Sequence, residues 1–405
     1  MSSLKEKALA MHQENQGKLG VYSKVAVKNA ADLSLAYSPG VAEPCLEIHA
    51  SPEKVYDYTA KGNTVAVVSN GTAVLGLGRI GALASIPVME GKAVLLKEFA
   101  GVDAFPICLD TTDAEKIVDM VATMAATFGG VNLEDIAAPD CFVIEEALKK
   151  RCDIPIFHDD QHGTAIVTAA GLINALKLAN KQIEDTTVVI NGAGAAGIAV
   201  GKLLLKMGIK DLLLCDRTGI IYEGRTEGMD PYKEEMARLT NREKRQGTLT
   251  DALVGTDVFI GLSVANCVSA EMVQTMNKDA IMFPMANPTP EIMPDVAKEA
   301  GAVTVGTGRS DFPNQINNVL AFPGIFRGAL DARATEINEE MKIAAVYAIA
   351  NLIKQEEIHA DYVIPDPFDQ RVVPAVAKAV FDAAVETGVA RKVSCGSTLE
   401  KKIMR

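Results

Sequence analysis

The sequence predicts an α/β protein in two parts: an N-terminal α/β catalytic domain, followed by a Rossmann-like dinucleotide-binding domain on a doubly wound parallel sheet. Three observations carry that prediction. Between residues 187 and 305, five short β-rich runs alternate with helical stretches, as serial βα units do. The glycine loop Gly192-Ala193-Gly194-Ala195-Ala196-Gly197 joins the first of these runs to a helical pattern. The first 157 residues also hold apolar runs and helical patterns, but in a less regular order.

In the first part the apolar runs are Val65–Ser69, Ala93–Leu96 and Phe105–Leu109, with helical patterns at Asp113–Thr127 and Val143–Lys150. A boundary is expected at Ile154–Phe157, which divides the chain into 1–157 and 158–363. A long helix, Thr164–Leu178, leads into the second part. Its strands are expected at Thr187–Asn191, Asp211–Cys215, Asp257–Leu262, Ala280–Met285 and Ala302–Val305. Helices Ala195–Met207, Tyr232–Leu239, Ser269–Met276 and Asp295–Ala300 alternate with them. Further helices, Asn338–Lys354 and Pro374–Thr387, flank the connector Ile364–Pro367, whose prolines a helix cannot cross. The segment 364–405 is expected to pack back on the rest.

Composition excludes several roles. With 40 Lys+Arg against 52 Asp+Glu the formal charge is −12, and the densest basic run, Asn241–Arg245, is interrupted by Glu243. A nucleic-acid partner is therefore not expected, since phosphate neutralisation needs a cationic face. No stretch approaches the roughly 18 uncharged apolar residues of a membrane span. The polar Ser2–Gly20 segment lacks the apolar core of a secretory signal. Seven cysteines (45, 108, 141, 152, 215, 267 and 395) are dispersed without a C-x-x-C pair, which reads as buried thiols in a reducing, cytoplasmic setting.

Two segments match G-x-G-x-x-G. Gly192–Gly197 has a strand before it, a helix of small residues after it, and Asp216 closing the next strand 24 residues on. Those are the parts a dinucleotide needs: glycines for close approach to the pyrophosphate, a helix N-terminus facing it, and an acid for the ribose. Asp216 favours NAD, because a carboxylate repels a 2′-phosphate, whereas the adjacent Arg217 could bind one. NAD and NADP both stay open. The other match, Gly76–Gly81, meets Pro87 within ten residues and lacks the helix–strand–acid sequel, so it reads as a turn between strand and helix.

Phe157–Gly163 sets Asp159 and Asp160 between His158 and His162. The histidine spacing resembles a zinc motif, but that motif needs a helix, and Pro155 and Gly163 argue against one here. Carboxylates suit Mg²⁺ or Mn²⁺ better. With Glu134 and Asp135 from Asn132–Asp135, Asp160 makes a three-acid set for a divalent ion, although spacing alone equally allows solvated loop acids.

Taken together, Leu35–Pro44, Gly91–Lys97, Val131–Asp135, Phe157–Thr164, Gly192–Gly197, Met285–Pro288 and Asn317–Gly324 occur in an order and spacing that resembles malic enzymes of the short bacterial type. The resemblance covers nearly the whole chain. It implies oxidative decarboxylation of L-malate to pyruvate and CO₂ with reduction of NAD(P)⁺, and a homodimer. Residue by residue, it implies Tyr37 as general acid, Lys92 as general base and substrate contact, and Glu134, Asp135 and Asp160 as metal ligands, with Asp159 beside them. Asn287 and Asn318 are similar to amides that face substrate and nicotinamide. Ala73 stands where larger family members carry an arginine for a malate carboxylate. For Lys92 the residues alone suggest only a surface lysine at a strand start; for Tyr37, a half-buried side chain before a turn. Two other readings share the scaffold: a malolactic conversion without net cofactor reduction, and a non-catalytic dinucleotide-binding sensor.

Overall fold

Parallel strands cannot be joined by tight turns, so each connection must cross over through a helix. Two sheets in this chain are organised that way. The computed structural model describes residues 3–74 and 76–394. The first sheet contains β1 (Thr64–Ser69), β2 (Asp103–Cys108), β3 (Gly130–Leu133) and β4 (Ile156–His158), in the order β2-β1-β3-β4 and wholly parallel. The second contains β5 (Thr187–Asn191), β6 (Asp211–Asp216), β7 (Gly219–Ile220), β8 (Val258–Gly261), β9 (Ala280–Pro284) and β10 (Ala302–Val305). Its order is β10-β9-β8-β5-β6-β7, parallel except for the β6–β7 hairpin. The α/β class and the doubly wound sheet are therefore as expected.

The five strands expected in the second sheet are present, with ends shifted by no more than one residue. Strand β7 was not expected; two residues carry no periodicity. Central strands β1 and β5 are continuous apolar runs, and Val65–Val68 and Val188–Ile190 are all fully buried. Such runs are what a strand covered by helices on both faces requires.

The first part departs from expectation at Ala93–Leu96, which lies within a 20-residue helix, Gly81–Ala100. Pro87 sits inside that helix. Its missing N–H removes one backbone hydrogen bond from the helix, which nevertheless runs on to Ala100. Ala82, Ser85, Met89, Ala93, Leu96 and Ala100 are all buried, and their spacing of three and four residues puts them on one helix face. The lysine at 92 is thus mid-helix, not at a strand start.

Near the C-terminus, helix Val372–Glu386 packs on helices Phe322–Asp331 and Glu339–Ala350. The first of these contacts needs glycine: a Cβ at Gly328 would lie 2.4 Å from the Ala377 carbonyl. Helix Phe322–Asp331 also packs on Gly81–Ala100. Fully buried Arg327 ties the same helix to the turn before β1, with Asp331 at 2.8 and 3.0 Å and Asn63 Oδ1 at 2.6 Å.

The N-terminal helices Leu4–Asn15, Ala30–Ala36 and Ala42–Ala50 bury no residue at all. Leu4, Leu9, Val21, Leu35 and Leu46 are left exposed. The six described cysteines are free thiols, but only Cys141 and Cys215 are buried; Cys45 is exposed and the others are partly covered. Uniform burial is therefore not observed: Cys45 lies within the exposed helix Ala42–Ala50, Cys108 and Cys152 at the ends of β2 and helix Asp140–Arg151, and Cys267 in the connection after β8. Cys395 lies outside the described residues. No helix among the described residues is long and apolar enough to cross a membrane.

Candidate active site

In open parallel sheets the useful crevice lies beyond the strand C-termini, where neighbouring connections diverge. In the first sheet β1 and β3 mark that point. Strand β3 runs directly into Glu134 and Asp135, and the adjacent β4 runs into Asp159 and Asp160. Parallel pairing of these strands is what brings residues 25 apart into contact: the Asp135 amide donates to Asp160 Oδ2 at 2.7 Å. Carboxylate oxygens of Glu134, Asp135 and Asp160 lie within 4.8 Å of one another. Asp135 takes a left-handed backbone conformation (φ 55°), uncommon for a residue with a side chain. Glu134 and Asp135 are buried, so they are not solvated loop acids.

Lys92 enters this cluster from helix Gly81–Ala100. Its Nζ lies 2.7 Å from Asp159 Oδ2, 2.9 Å from Glu134 Oε1 and 4.4 Å from the Phe322 ring centre. Asn318 Nδ2 donates to the same Asp159 oxygen at 2.9 Å. Asp159 is thus the partner of Lys92 and Asn318, and its Oδ1 is buried without a hydrogen bond. A Cβ at Gly163 would come 1.9 Å from that Oδ1, so only glycine leaves the carboxylate its place. Glu134 is steadied by Asn132 Nδ2 at 2.8 Å, a contact that the sequence did not single out.

Electrostatics here are lopsided. Four carboxylates gather here against one ammonium, which pairs with two of them, Glu134 and Asp159. Burial pushes Glu134 well above the usual carboxylate range, and the other acids add to this although Lys92 opposes it. Burial raises Asp159 too, against the pull of Lys92 and Asn318. For Lys92, burial acts downward, but Asp159, Glu134 and Asp160 outweigh it and hold the ammonium above its ordinary value. An all-oxygen donor set with surplus negative charge, in a crevice, fits a hard divalent cation such as Mg²⁺ or Mn²⁺.

Of the two histidines only His158 comes near, its Nδ1 3.7 Å from Asp160 Oδ2. Asp159–Gly163 forms a single π-helical turn that continues into helix Thr164–Ala179, so the segment is helical after all. The zinc reading fails for another reason: His158 stays in β4, while His162 turns away. His162 Nε2 lies 2.8 and 3.0 Å from the Glu145 oxygens, and Lys342 Nζ is 3.3 Å from Nδ1. With Lys342 donating to Nδ1, the ring proton sits on Nε2 and is donated to Glu145. Burial brings the imidazole down to about 4, against Glu145, so it is neutral at physiological pH. This clamp ties the acid-bearing turn to helices Asp140–Arg151 and Glu339–Ala350, and no local sequence signal marks it.

The second sheet turns its own crevice, between β5 and β8, toward a different kind of ligand. Gly192 has φ 123°, and a Cβ there would meet the Leu262 carbonyl at 2.4 Å. At Gly197 a Cβ would lie 1.8 Å from the Gly192 carbonyl. These two glycines pack the loop tightly, whereas Gly194 faces open space. Helix Ala195–Lys206 starts there, and its small residues Ala195 and Ala196, with Ala193 before them, leave room at the positive helix end. The Gly192 amide donates to Cys215 at 2.9 Å, which sets the loop beside Asp216 at the end of β6. This arrangement fits a dinucleotide.

Neither Asn287 nor Tyr37 takes part in the contacts described above. Asn287 follows β9, is exposed, and approaches the first part at Gly76, whose Cβ would lie 3.2 Å from the Asn287 carbonyl. Tyr37 ends helix Ala30–Ala36 and is 68% exposed. Ala73 is exposed and donates its amide to the Asp135 carbonyl at 3.0 Å. The Gly76–Gly81 segment is a turn between β1 and helix Gly81–Ala100, as read.

Comparison with known proteins gives a consistent result. The model of the malic enzyme N-terminal domain matches residues 16–149, and that of the malic enzyme NAD-binding domain matches residues 161–385. The chain is 68% identical over 389 residues to a bifunctional malic/malolactic enzyme of Bacillus subtilis, covering 96% of this chain and 95% of that one. It is 56% identical to an NAD-dependent malic enzyme of Geobacillus stearothermophilus, covering 93% of this chain and 78% of the relative. Among solved structures, a malic enzyme from Pyrococcus horikoshii superposes with a TM-score of 0.95 at 48% identity, over 100% of this chain and 95% of that one.

Proposed function

Because the chain belongs to the malic enzyme family, we propose that it oxidatively decarboxylates L-malate to pyruvate and CO₂, reducing NAD⁺ or NADP⁺. The observation that carries this reading is the buried Lys92 ammonium between Asp159 and Glu134, beside the acid set of Glu134, Asp135 and Asp160. Glu134, Asp135 and Asp160 would hold Mg²⁺ or Mn²⁺, which would supply Lewis-acid polarisation of the C2 oxygen, and the Gly192–Gly197 loop would hold the dinucleotide, which would supply the hydride acceptor.

The chain's own groups do the rest. A bound cation would offset the acids that otherwise keep Lys92 an ammonium; in its neutral form Lys92 takes the proton of the C2 hydroxyl as general base, and Asp159, itself held by Asn318, keeps its Nζ in place. Tyr37 returns a proton to C3 after CO₂ departs. Asn318 and Asn287 approach the substrate from the second part, with Asn287 on the nicotinamide side. Residues 1–157 in this reading carry substrate and metal groups, completed by Asp159 and Asp160 just past the boundary; residues 158–363 carry the dinucleotide.

The exposed apolar side chains of the N-terminal helices, with the exposed Tyr37 beside them, support a homodimer. We place the protein in the cytoplasm.

An initial-rate assay with L-malate and Mn²⁺ tests the reading, with NAD⁺ and NADP⁺ compared and pyruvate and CO₂ quantified. Equimolar pyruvate, CO₂ and reduced dinucleotide are expected; no turnover with either dinucleotide would refute it. A second reading is favoured by the likeness to the bifunctional malic/malolactic relative. Under it, malate yields lactate and no reduced dinucleotide accumulates, which absorbance of the reduced nicotinamide separates at once.

A further inference from the structure

We infer that a cavity behind the acid-bearing turn binds a compact oxyanion, carboxylate or tetrahedral, and that its occupancy strengthens divalent-cation binding at Glu134, Asp135 and Asp160. The coupling rests on the reading of those acids as the metal site; the binding itself does not. The cavity, of about 190 Å³, lies between the turn Asp159–Gly163 and helices Asp140–Arg151, Ala195–Lys206 and Glu339–Ala350. A protein cavity of about 150 Å³ accommodates benzene, so this one suits a molecule of similar size. Gln161 lines it and is only 3% exposed, and its Nε2 donates to no described residue. A buried amide without a partner is a standing cost that an acceptor on a ligand removes. Lys342 Nζ is directed to His162 Nδ1 at 3.3 Å and pairs with Glu339, which leaves one of its three N–H groups. Lys149 pairs with Glu145 Oε1 at 2.7 Å and keeps two.

Acceptors in the same wall are largely taken. Glu145 accepts from His162 as well as from Lys149, and Glu339 pairs with Lys342 and, at 3.5 Å, with Lys206. Glu146 also lines the cavity but is exposed to solvent. Lys149, Lys202 and Lys342 balance Glu145, Glu146 and Glu339 in formal charge, so the spare donors and not net charge set the preference. Burial, with Lys149 nearby, pulls the Lys342 ammonium below its ordinary value although Glu339 opposes it, so that ammonium is short of negative charge. An oxyanion supplies it and takes charge-assisted hydrogen bonds from Lys342 and Lys149, with Gln161 completing the set. The link to the metal site is the turn itself. Gln161 and His162 follow Asp160 directly, and Lys342 holds His162. An oxyanion on Gln161 and Lys342 fixes that turn from behind, and a turn fixed beforehand costs less to order when a cation binds. A bound negative charge also favours a cation nearby. Both effects have the same sign, and linkage makes the coupling reciprocal.

Calorimetric titration of the full chain with sulfate and with acetate, without metal or malate, tests the binding. One oxyanion per chain is expected, and the tighter of the two probes shows whether the site takes the tetrahedral or the carboxylate form. Ala199→Leu fills the cavity without removing a polar group, and Lys149→Gln removes one partly exposed donor. Each should weaken the oxyanion about tenfold or more, the scale of a charge-assisted hydrogen bond. Paramagnetic resonance titration of Mn²⁺ then tests the coupling. The Mn²⁺ Kd should fall about fivefold at saturating oxyanion, the low end of allosteric couplings. In Ala199→Leu that gain should vanish while Mn²⁺ affinity without oxyanion stays as in the wild type. Failure of both probes to bind, binding unchanged in both variants, or Mn²⁺ affinity indifferent to a bound oxyanion would overturn the inference. Oxyanion binding that the variants weaken, in a chain that binds no Mn²⁺, would refute the metal site and support the oxyanion site.

Discussion

Both sheets place their chemistry beyond strand C-termini at a switch point, yet they do so by opposite means. The first gathers charged side chains from three separate stretches, at Lys92, Glu134–Asp135 and Asp159–Asp160, with the Asn318 amide from a fourth. The second clears side chains away, so that backbone amides of one short loop stand open at Gly194. A site for a small, hard ion needs converging charge held against its own repulsion. A site for a pyrophosphate needs space and amide dipoles. The two can therefore be damaged independently, and variants in each sharpen the contrast.

The largest effect is expected at Lys92. Lys92→Ala should lower kcat for malate oxidation by about 10³-fold, within the range for loss of a general base, with dinucleotide binding retained. A variant that kept its rate would remove Lys92 from the chemistry. Next comes Gly197→Ala, whose Cβ would collide with the Gly192 carbonyl. Dinucleotide affinity should fall on the order of 100-fold, the scale of a misplacement of about 1 Å, while Mn²⁺ affinity is unchanged. Loss of both would mean that the two regions are one cooperative unit. The smallest effect is expected for Asn318→Ala, which removes one hydrogen bond to a charged Asp159 oxygen. About a tenfold drop in kcat/KM is expected; an unchanged value would make Asn318 a bystander.

The same contrast explains what the sequence could and could not tell. Gly192–Gly197 is legible because strand, loop, helix and Asp216 lie within one continuous βαβ stretch, and each glycine has a local steric reason. The acids are legible as residue types, but their convergence depends on parallel pairing of β3 with β4. The Lys92–Asp159 contact joins residues 67 apart and rests on a helix that Pro87 had argued against. His162 looked like half of a metal motif, whereas it serves Glu145 and Lys342 across three helices. The hydrogen bonds of Arg225 and Lys233 to Asp216, at 2.7 and 2.9 Å, were invisible because they depend on how the loop after β7 folds back. Residues whose reason is local can be read from order alone; those whose reason is a distant partner require the fold.

The central claim is that Glu134, Asp135 and Asp160, with Lys92 beside them, form one divalent-cation site at the end of β3 and β4. Direct titration of Mn²⁺ into the protein, followed by the decline of its free-ion paramagnetic resonance signal, tests it without any assay of activity. One Mn²⁺ per chain is expected in the wild type, with at least a tenfold weakening in Asp160→Asn, as for loss of one charged ligand. Wild-type protein that binds no Mn²⁺, or an Asp160→Asn variant that binds it with unchanged affinity, would contradict the claim.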